Sequence, residues 1–243
     1  MRKFAVALLI ALLPGIALGA EGGQHLMNPD VDVSNTASLQ RGAKYFANYC
    51  MGCHSLKYLR YSRMAEDLNI PEDVVEKTMI WDGGQVHSKM MSAMASDDGK
   101  NWFGAAPPDL SLTVRARGAD WVYTYLNTFY RDPESDTGVN NLTLPGASMP
   151  HVLWQLQGMP EPVYGEGSGG SLHVKEVEVP EGAGLLSEEE YHQVTRDITN
   201  FLAYAAEPVQ AERERLGVWV LLFIAVFTAL AYLLKREFWK DVH

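Results

Sequence analysis

Cys50, Cys53 and His54 stand in the order Cys-x-x-Cys-His, within Tyr49-Cys50-Met51-Gly52-Cys53-His54-Ser55. That spacing suits covalent attachment of a c-type haem. Two thiols can add to the two vinyl groups on one porphyrin edge, and the imidazole that follows can reach the iron as proximal ligand. Cys50 and Cys53 lie about one helical turn apart, so both sulfurs can face the ring. Two other chemistries use such a cysteine pair. A zinc site needs two more ligands, and these are the only two cysteines in 243 residues. A thioredoxin-like dithiol sits in a βαβ unit, and no such pattern surrounds this one; histidine directly after the second cysteine belongs to the haem motif.

A haem that carries electrons needs a second axial ligand, and a methionine in that place raises the reduction potential. Met149, in Ala147-Ser148-Met149-Pro150-His151, lies in a stretch stiffened by Pro145-Gly146 and Pro150. Met90, Met91, Met94 and His151 are rivals, and spacing alone does not choose among them. Upstream, Pro107-Pro108-Asp109-Leu110-Ser111 must be extended, because two prolines bar a helix. Such a rigid apolar segment makes a good wall for a flat ring. Arg115 and Arg117 follow. An arginine fork is the best partner for a haem propionate, although either side chain could equally be a surface charge.

These residues need elements to hold them. Ser38 reads as the N-cap of a helix on which Leu39, Ala43, Phe46 and Cys50 form one apolar face, leading into the motif. Residues 71–80 read as a short helix with Pro71 in its first turn. Ser96-Asp97-Asp98-Gly99 reads as a polar run. Gly118 closes the segment before an amphipathic helix over 119–130, with Trp121, Tyr125, Leu126 and Phe129 on its apolar side. Residues 131–146 read as loop. The stretch 155–186 is polar and Gly-rich, with Val174, Val177 and Val179 among charges: a small hairpin or an ordered insert. Glu161, Glu166, Glu176, Glu178 and Glu181 gather there as a solvated face or a docking patch. Ser187 and Glu190 form a capping box. The helix it opens carries Tyr191, Val194, Ile198, Leu202 and Ala205 on one face, suited to crossing the first helix. The fold class is mainly α, a cytochrome c-like haem domain with loop insertions.

The two ends are different. Residues 1–20 read as a secretory signal peptide: a positive start, an apolar run from Phe4 to Leu13, then small residues. Residues 21–208 form the exported domain, beginning with an arm over 21–37 that is either a loose terminus or a strap. Leu216 to Leu234 carries no charge, and its 19 residues span roughly 28 Å as a helix. The anchor is drawn over 209–236 and a tail over 237–243. Lys235, Arg236 and Lys240 place the tail in the cytoplasm by the positive-inside rule. The formal net charge of −10 favours a basic partner and excludes nucleic acid.

Taken together, these segments resemble the cytochrome c1 family, the haem subunits of cytochrome bc1 complexes, in its bacterial form. The resemblance rests on Arg41-Gly42 ahead of the haem motif, and on Pro107-Pro108-Asp109-Leu110-Ser111 with Val114-Arg115-Ala116-Arg117. It rests also on Tyr130-Arg131-Asp132-Pro133, Pro145-Gly146 with Met149-Pro150, and Ala205-Ala206-Glu207-Pro208 before a single span. It implies one covalent haem c, Met149 opposite His54 as the second metal ligand, Arg117 on a propionate and Pro108 against the ring. It implies single-electron transfer from a Rieske-type iron–sulfur protein to a cytochrome c, with no substrate chemistry of the chain's own. Cytochrome b, the Rieske subunit, the acceptor cytochrome c and the lipid bilayer are the implied partners, and the site of action is the periplasmic face of the bacterial inner membrane. Some relatives stiffen the methionine loop with a disulfide, which is impossible here because Cys50 and Cys53 are both used. The loop from Glu134 to Leu144 is shorter and more polar than in mitochondrial relatives. Trp121 stands where relatives carry a haem-proximal tyrosine. Two competing readings are an anchored haem peroxidase or gas-binding protein with an open sixth site, and a haem subunit of another respiratory complex such as a terminal oxidase.

Overall fold

The computed structural model describes residues 26–81, 83–166 and 172–240. The expected leader, 1–20, and the end of the tail, 241–243, lie outside the described residues, as does the side chain of Glu166. Among the described residues the architecture is mainly helical, with three two-stranded antiparallel ribbons as its only sheets.

The core is the crossing of two helices. Helix α1 (Thr36–Tyr45) continues into a π-helical turn, Phe46–Cys50, and so runs straight into the haem motif. Asn35, not Ser38, caps α1: its side chain accepts from the Ser38 amide at 3.1 Å. Ser38 is as good a cap by type, but it is buried inside the helix, where its hydroxyl donates to Asp197 at 2.6 Å. Leu39, Ala43, Phe46 and Cys50 are all buried, as their spacing requires.

The partner of α1 comes late in the chain. Further along lie β1 (Leu56–Arg60), α2 (Tyr61–Asp67), α3 (Glu72–Thr78), β2 (Lys89–Met90), α4 (Ser96–Phe103), α5 (Thr113–Arg117) and α6 (Ala119–Asn127). They are followed by β3 (Phe129–Arg131), β4 (Val139–Asn141), α7 (Trp154–Gln157), β5 (Glu161–Glu166), β6 (Leu172–Glu178) and α8 (Glu188–Ala206). Helix α8 opens with the full Ser187–Glu190 capping box, and Tyr191, Val194, Ile198, Leu202 and Ala205 are buried against α1 and α6. The arm before α1 is a strap. The Met27 amide donates to Thr124 on α6, and Asn200 on α8 donates to the Asp32 carbonyl.

The polar run at 96–99 is the first turn of α4, with Asp97 and Asp98 where the helix dipole favours acid. Two expectations change. Helix α6 stops at Asn127 rather than at 130. Phe129 and Tyr130 pair with Asn141 and Asn140 instead, so the stretch read as loop contains a strand. The Asn127 side chain turns back to donate to the Tyr123 carbonyl, one turn earlier in the helix. The polar stretch after 160 does form a hairpin, β5–β6.

Helix α9 (Gln210–Phe238) is 29 residues long and is long and apolar enough to cross a membrane. Its side chains are exposed on this chain, unlike those of a core helix.

Candidate cofactor site

The haem motif sits where α1 ends. The π-helical turn is closed by the Met51 amide donating to the Phe46 carbonyl at 3.0 Å, one residue wider than an α-turn. The widening shifts Ala47, whose carbonyl accepts from the Trp81 indole at 3.3 Å. The chain then tightens: the Cys53 and His54 amides both donate to the Cys50 carbonyl, at 3.1 and 2.9 Å. Tyr61, buried in α2, donates its hydroxyl to the Met51 sulfur at 3.4 Å and so holds the middle of the motif.

Cys50 is buried, Cys53 is half-buried, and neither is in a disulfide. Burial, with the neighbouring Cys53 adding to it, pushes the Cys50 thiol up to about 12, and burial raises that of Cys53 as well. A redox-active dithiol needs the opposite shift. Among the described residues no group of three or more His, Cys, Asp or Glu side chains is assembled for a metal ion.

His54 is 8% exposed. Its Nδ1 lies 2.8 Å from the Pro108 carbonyl oxygen. A carbonyl can only accept, so Nδ1 carries the proton and Nε2 keeps its lone pair. Burial lowers the His54 pKa; the Pro108 bond and the Asp109 charge oppose it without reversing it. The ring is therefore a neutral, oriented imidazole with one nitrogen free to bind a metal.

The Pro107–Ser111 segment is itself held. Asp109 accepts from the Lys57 and Ser111 amides at 2.9 and 3.1 Å, and the Leu110 amide donates to the Ser55 carbonyl at 2.9 Å. The Pro108 carbonyl thus meets His54 because its whole turn is tied to the residues just after the motif. The Pro108 ring itself is exposed on this chain.

The two arginines part company on α5. Arg115 lies 3.9 Å from Glu207, at the foot of α8. Arg117 is exposed, has no carboxylate partner among the described residues, and lies over the Trp121 ring at 5.0 Å.

The sulfur and imidazole rivals also differ in setting. Met90 is fully buried in β2, paired with Leu56, and so is committed to the core. Met91 is exposed and Met94 is half-buried. The His151 ring is 4% exposed and stacks on Phe129, with centroids 5.0 Å apart and planes 11° from parallel. Burial takes its pKa down to about 4, against weaker support for the charged ring from Gln157 and Gly158. Met149 is half-buried against the edge of the core.

The donor set fits a covalently bound haem. Two unpaired thiols flank a turn, a neutral imidazole is aimed by its other nitrogen, a proline segment stands beside it, and an exposed arginine has no carboxylate partner among the described residues. Three supporting residues were not foreseen: Asn35, Trp81 and Asn141. Asn141 is fully buried and donates to the Tyr125 carbonyl, while its side-chain oxygen accepts from the Thr143 and Leu144 amides. In sequence it stands in an Asn-Asn pair that reads as ordinary loop.

Comparison with known proteins agrees with this geometry. The model of the Cytochrome C1 family matches residues 30–242. A cytochrome c1 from Allochromatium vinosum is 49% identical over 245 aligned residues, covering the whole of both chains. A protein named ammonia monooxygenase gamma subunit, from Nitrosomonas europaea, is 40% identical and covers all of this chain and 99% of that one. A cytochrome c1 from Rhodospirillum rubrum is 27% identical over 99% of this chain and 97% of its own length. A solved structure described as a hyperthermophilic respiratory complex III aligns with a TM-score of 0.50 and 18% identity, over 100% of this chain and 97% of that one, a likeness of fold.

Proposed function

The chain belongs to the cytochrome c1 family, and from that membership we propose that it is the haem-bearing electron carrier of a bc1-type quinol–cytochrome c oxidoreductase. It takes single electrons from a Rieske-type iron–sulfur protein and passes them to a cytochrome c. Proteins of this family carry covalently bound haem c, which supplies a one-electron iron couple when bound.

The residues divide the work. Cys50 and Cys53 hold the porphyrin through thioether bonds. His54 and Met149 would supply the two ligands of the iron, and a haem so held would offer no open site for substrate. Pro108 orients His54 through its carbonyl, and its ring would lie against the bound porphyrin. Arg117 neutralises a propionate. The observation that carries the reading is the His54–Pro108 hydrogen bond of 2.8 Å, which leaves Nε2 as the only nitrogen able to bind iron, directly after the paired thiols.

Residues 1–20 are removed as a signal peptide, 21–208 form the haem domain on the periplasmic side, 209–236 anchor it in the inner membrane, and 237–243 are cytoplasmic. The acidic surface suits a transient basic partner. Purification of the tagged chain from solubilised membranes tests the assembly: a b-type haem spectrum and an iron–sulfur signal are expected to co-purify. Copper-containing oxidase subunits in their place would make it a haem subunit of another complex. Carbon monoxide binding tests the closed site. The unmodified protein should not bind it, and Met149→Leu should; ready binding before the change would favour the peroxidase or gas-binding reading.

A further inference from the structure

We propose that His151 is a positioning residue for Met149, fixing the methionine loop through the stack of its ring on Phe129. The inference rests on Met149 being the axial ligand.

The loop between Asn141 and His151 is fastened at both ends to one short stretch of chain, 125–129. At the near end, Asn141 donates to the Tyr125 carbonyl at 2.8 Å, and the Leu142 amide donates to the Thr128 carbonyl at 3.1 Å. Thr128 also shares its hydroxyl with Thr143 at 3.0 Å. At the far end no comparable hydrogen bonds among the described residues return to that stretch. The His151 ring instead lies flat on Phe129, and its carbonyl accepts from the Trp154 amide at 3.3 Å to start α7. The stacked ring is thus the far-end fastening.

Phe129 is itself held in a column. It meets Tyr125 edge-on at 5.1 Å; Tyr125 stacks on Trp121 at 5.2 Å and 10°; Arg117 lies over Trp121. The column joins the residue that neutralises a propionate to the residue two places beyond the ligand. A thioether is a weak ligand that cannot drag its loop into place, so a rigid seat decides how closely it approaches the iron.

The test uses the full-length, haem-loaded protein in detergent. Two properties are read: the far-red sulfur-to-iron charge-transfer band of the oxidised form and the reduction potential. His151→Leu and Phe129→Leu should lose most of the band and shift the potential downward. His151→Phe, which keeps a flat ring, should retain both. An unchanged band and potential in the two leucine variants overturns the proposal, and so does a His151→Phe variant as impaired as His151→Leu. If His151→Leu does not accumulate, His151→Gln serves: it keeps polar atoms but no ring, and must also lose the band. Met149→Leu is the separate control. A band that survives it removes the ligand assignment itself, and the proposal with it, whereas a band lost in Met149→Leu but kept in the leucine variants at 151 and 129 removes the proposal alone.

Discussion

Gly42 on α1 lies directly against the backbone carbonyl of Asp197 on α8. A Cβ at position 42 would collide with that oxygen and would meet the Phe201 Cβ at 2.7 Å. The contact fixes how closely the helix that delivers Cys50 crosses the helix that leads to the long apolar α9.

Gly42→Ala should therefore separate the two helices. Neither the Asp197 carbonyl nor the Phe201 Cβ is the far end of a flexible side chain, so the backbones must move. Overpacking of this kind costs about 1–3 kcal/mol. Thermal unfolding should show a lower midpoint, and membranes should hold less haem-loaded protein. A wild-type midpoint would mean that the crossing relaxes freely.

Asp197 is the second lock at the same crossing. Its carboxylate is 1% exposed and accepts from Arg41 Nε and Nη2 at 2.6 and 2.8 Å, from Ser38 at 2.6 Å and from Gln193 at 2.9 Å. Asp197→Ala leaves all of these donors without their acceptor and should cost about 2–4 kcal/mol. Arg41→Ala should cost less, about 1 kcal/mol, because the arginine side chain is 47% exposed and other donors remain on the carboxylate. Denaturant titration of the two variants checks the order; equal losses would contradict it.

Asp109 acts on His54 at one remove. It pins the turn that presents the Pro108 carbonyl. A hydrogen bond to Nδ1–H makes the imidazole a stronger donor and favours the oxidised iron. Asp109→Ala should loosen that bond and move the reduction potential upward, with haem attachment unchanged. Potentiometric titration reads the shift, and a downward move would refute the argument.

His151 makes the fold sensitive to acid. Its pKa is about 4 in the folded chain, against the usual 6.5, chiefly through burial. Below 6.5 the unfolded chain takes up a proton that the folded one refuses. The stability contribution is therefore complete above 6.5 and is lost as the pH falls through the folded value. The loss is on the order of 3 kcal/mol. His151→Phe has no such proton to refuse. Its thermal midpoint should fall less than that of the wild type between neutral pH and about 4; parallel curves would show that the ring is not kept neutral.

Ser187→Ala removes one hydroxyl from an exposed helix start and should cost about 1 kcal/mol without touching the spectrum. A change in the haem band would show that the start of α8 reaches further than its hydrogen bonds do.

What could be read in the sequence follows from what is local. The Cys-x-x-Cys-His motif, the apolar face from Leu39 to Cys50, the Ser187–Glu190 box and the long apolar helix are all patterns over a few turns, and each lies in the described residues where its pattern put it. The errors arose where a distant partner decided the outcome. Ser38 lost the cap because Asp197, 159 residues away, claimed its hydroxyl. Helix α6 ended early because Phe129 and Tyr130 found Asn141 and Asn140 across a ribbon. Asn141 looked like loop because nothing in its neighbours announces that its amide will be buried against Tyr125. Among the site residues, the His54–Pro108 bond spans 54 positions and had no local signal beyond two prolines.

Helix α8 ends at Ala206 and α9 begins at Gln210. Glu207, between them, is gripped by Arg213 at 2.7 Å and approached by Arg115 at 3.9 Å. Three residues, fully stretched, reach only roughly 10 Å. With α9 fixed in a bilayer, such a leash allows the domain to rock but not to travel. Any ferrying of charge between distant stations must then be done by the molecules that visit this one, which behaves as a fixed quay rather than a boat.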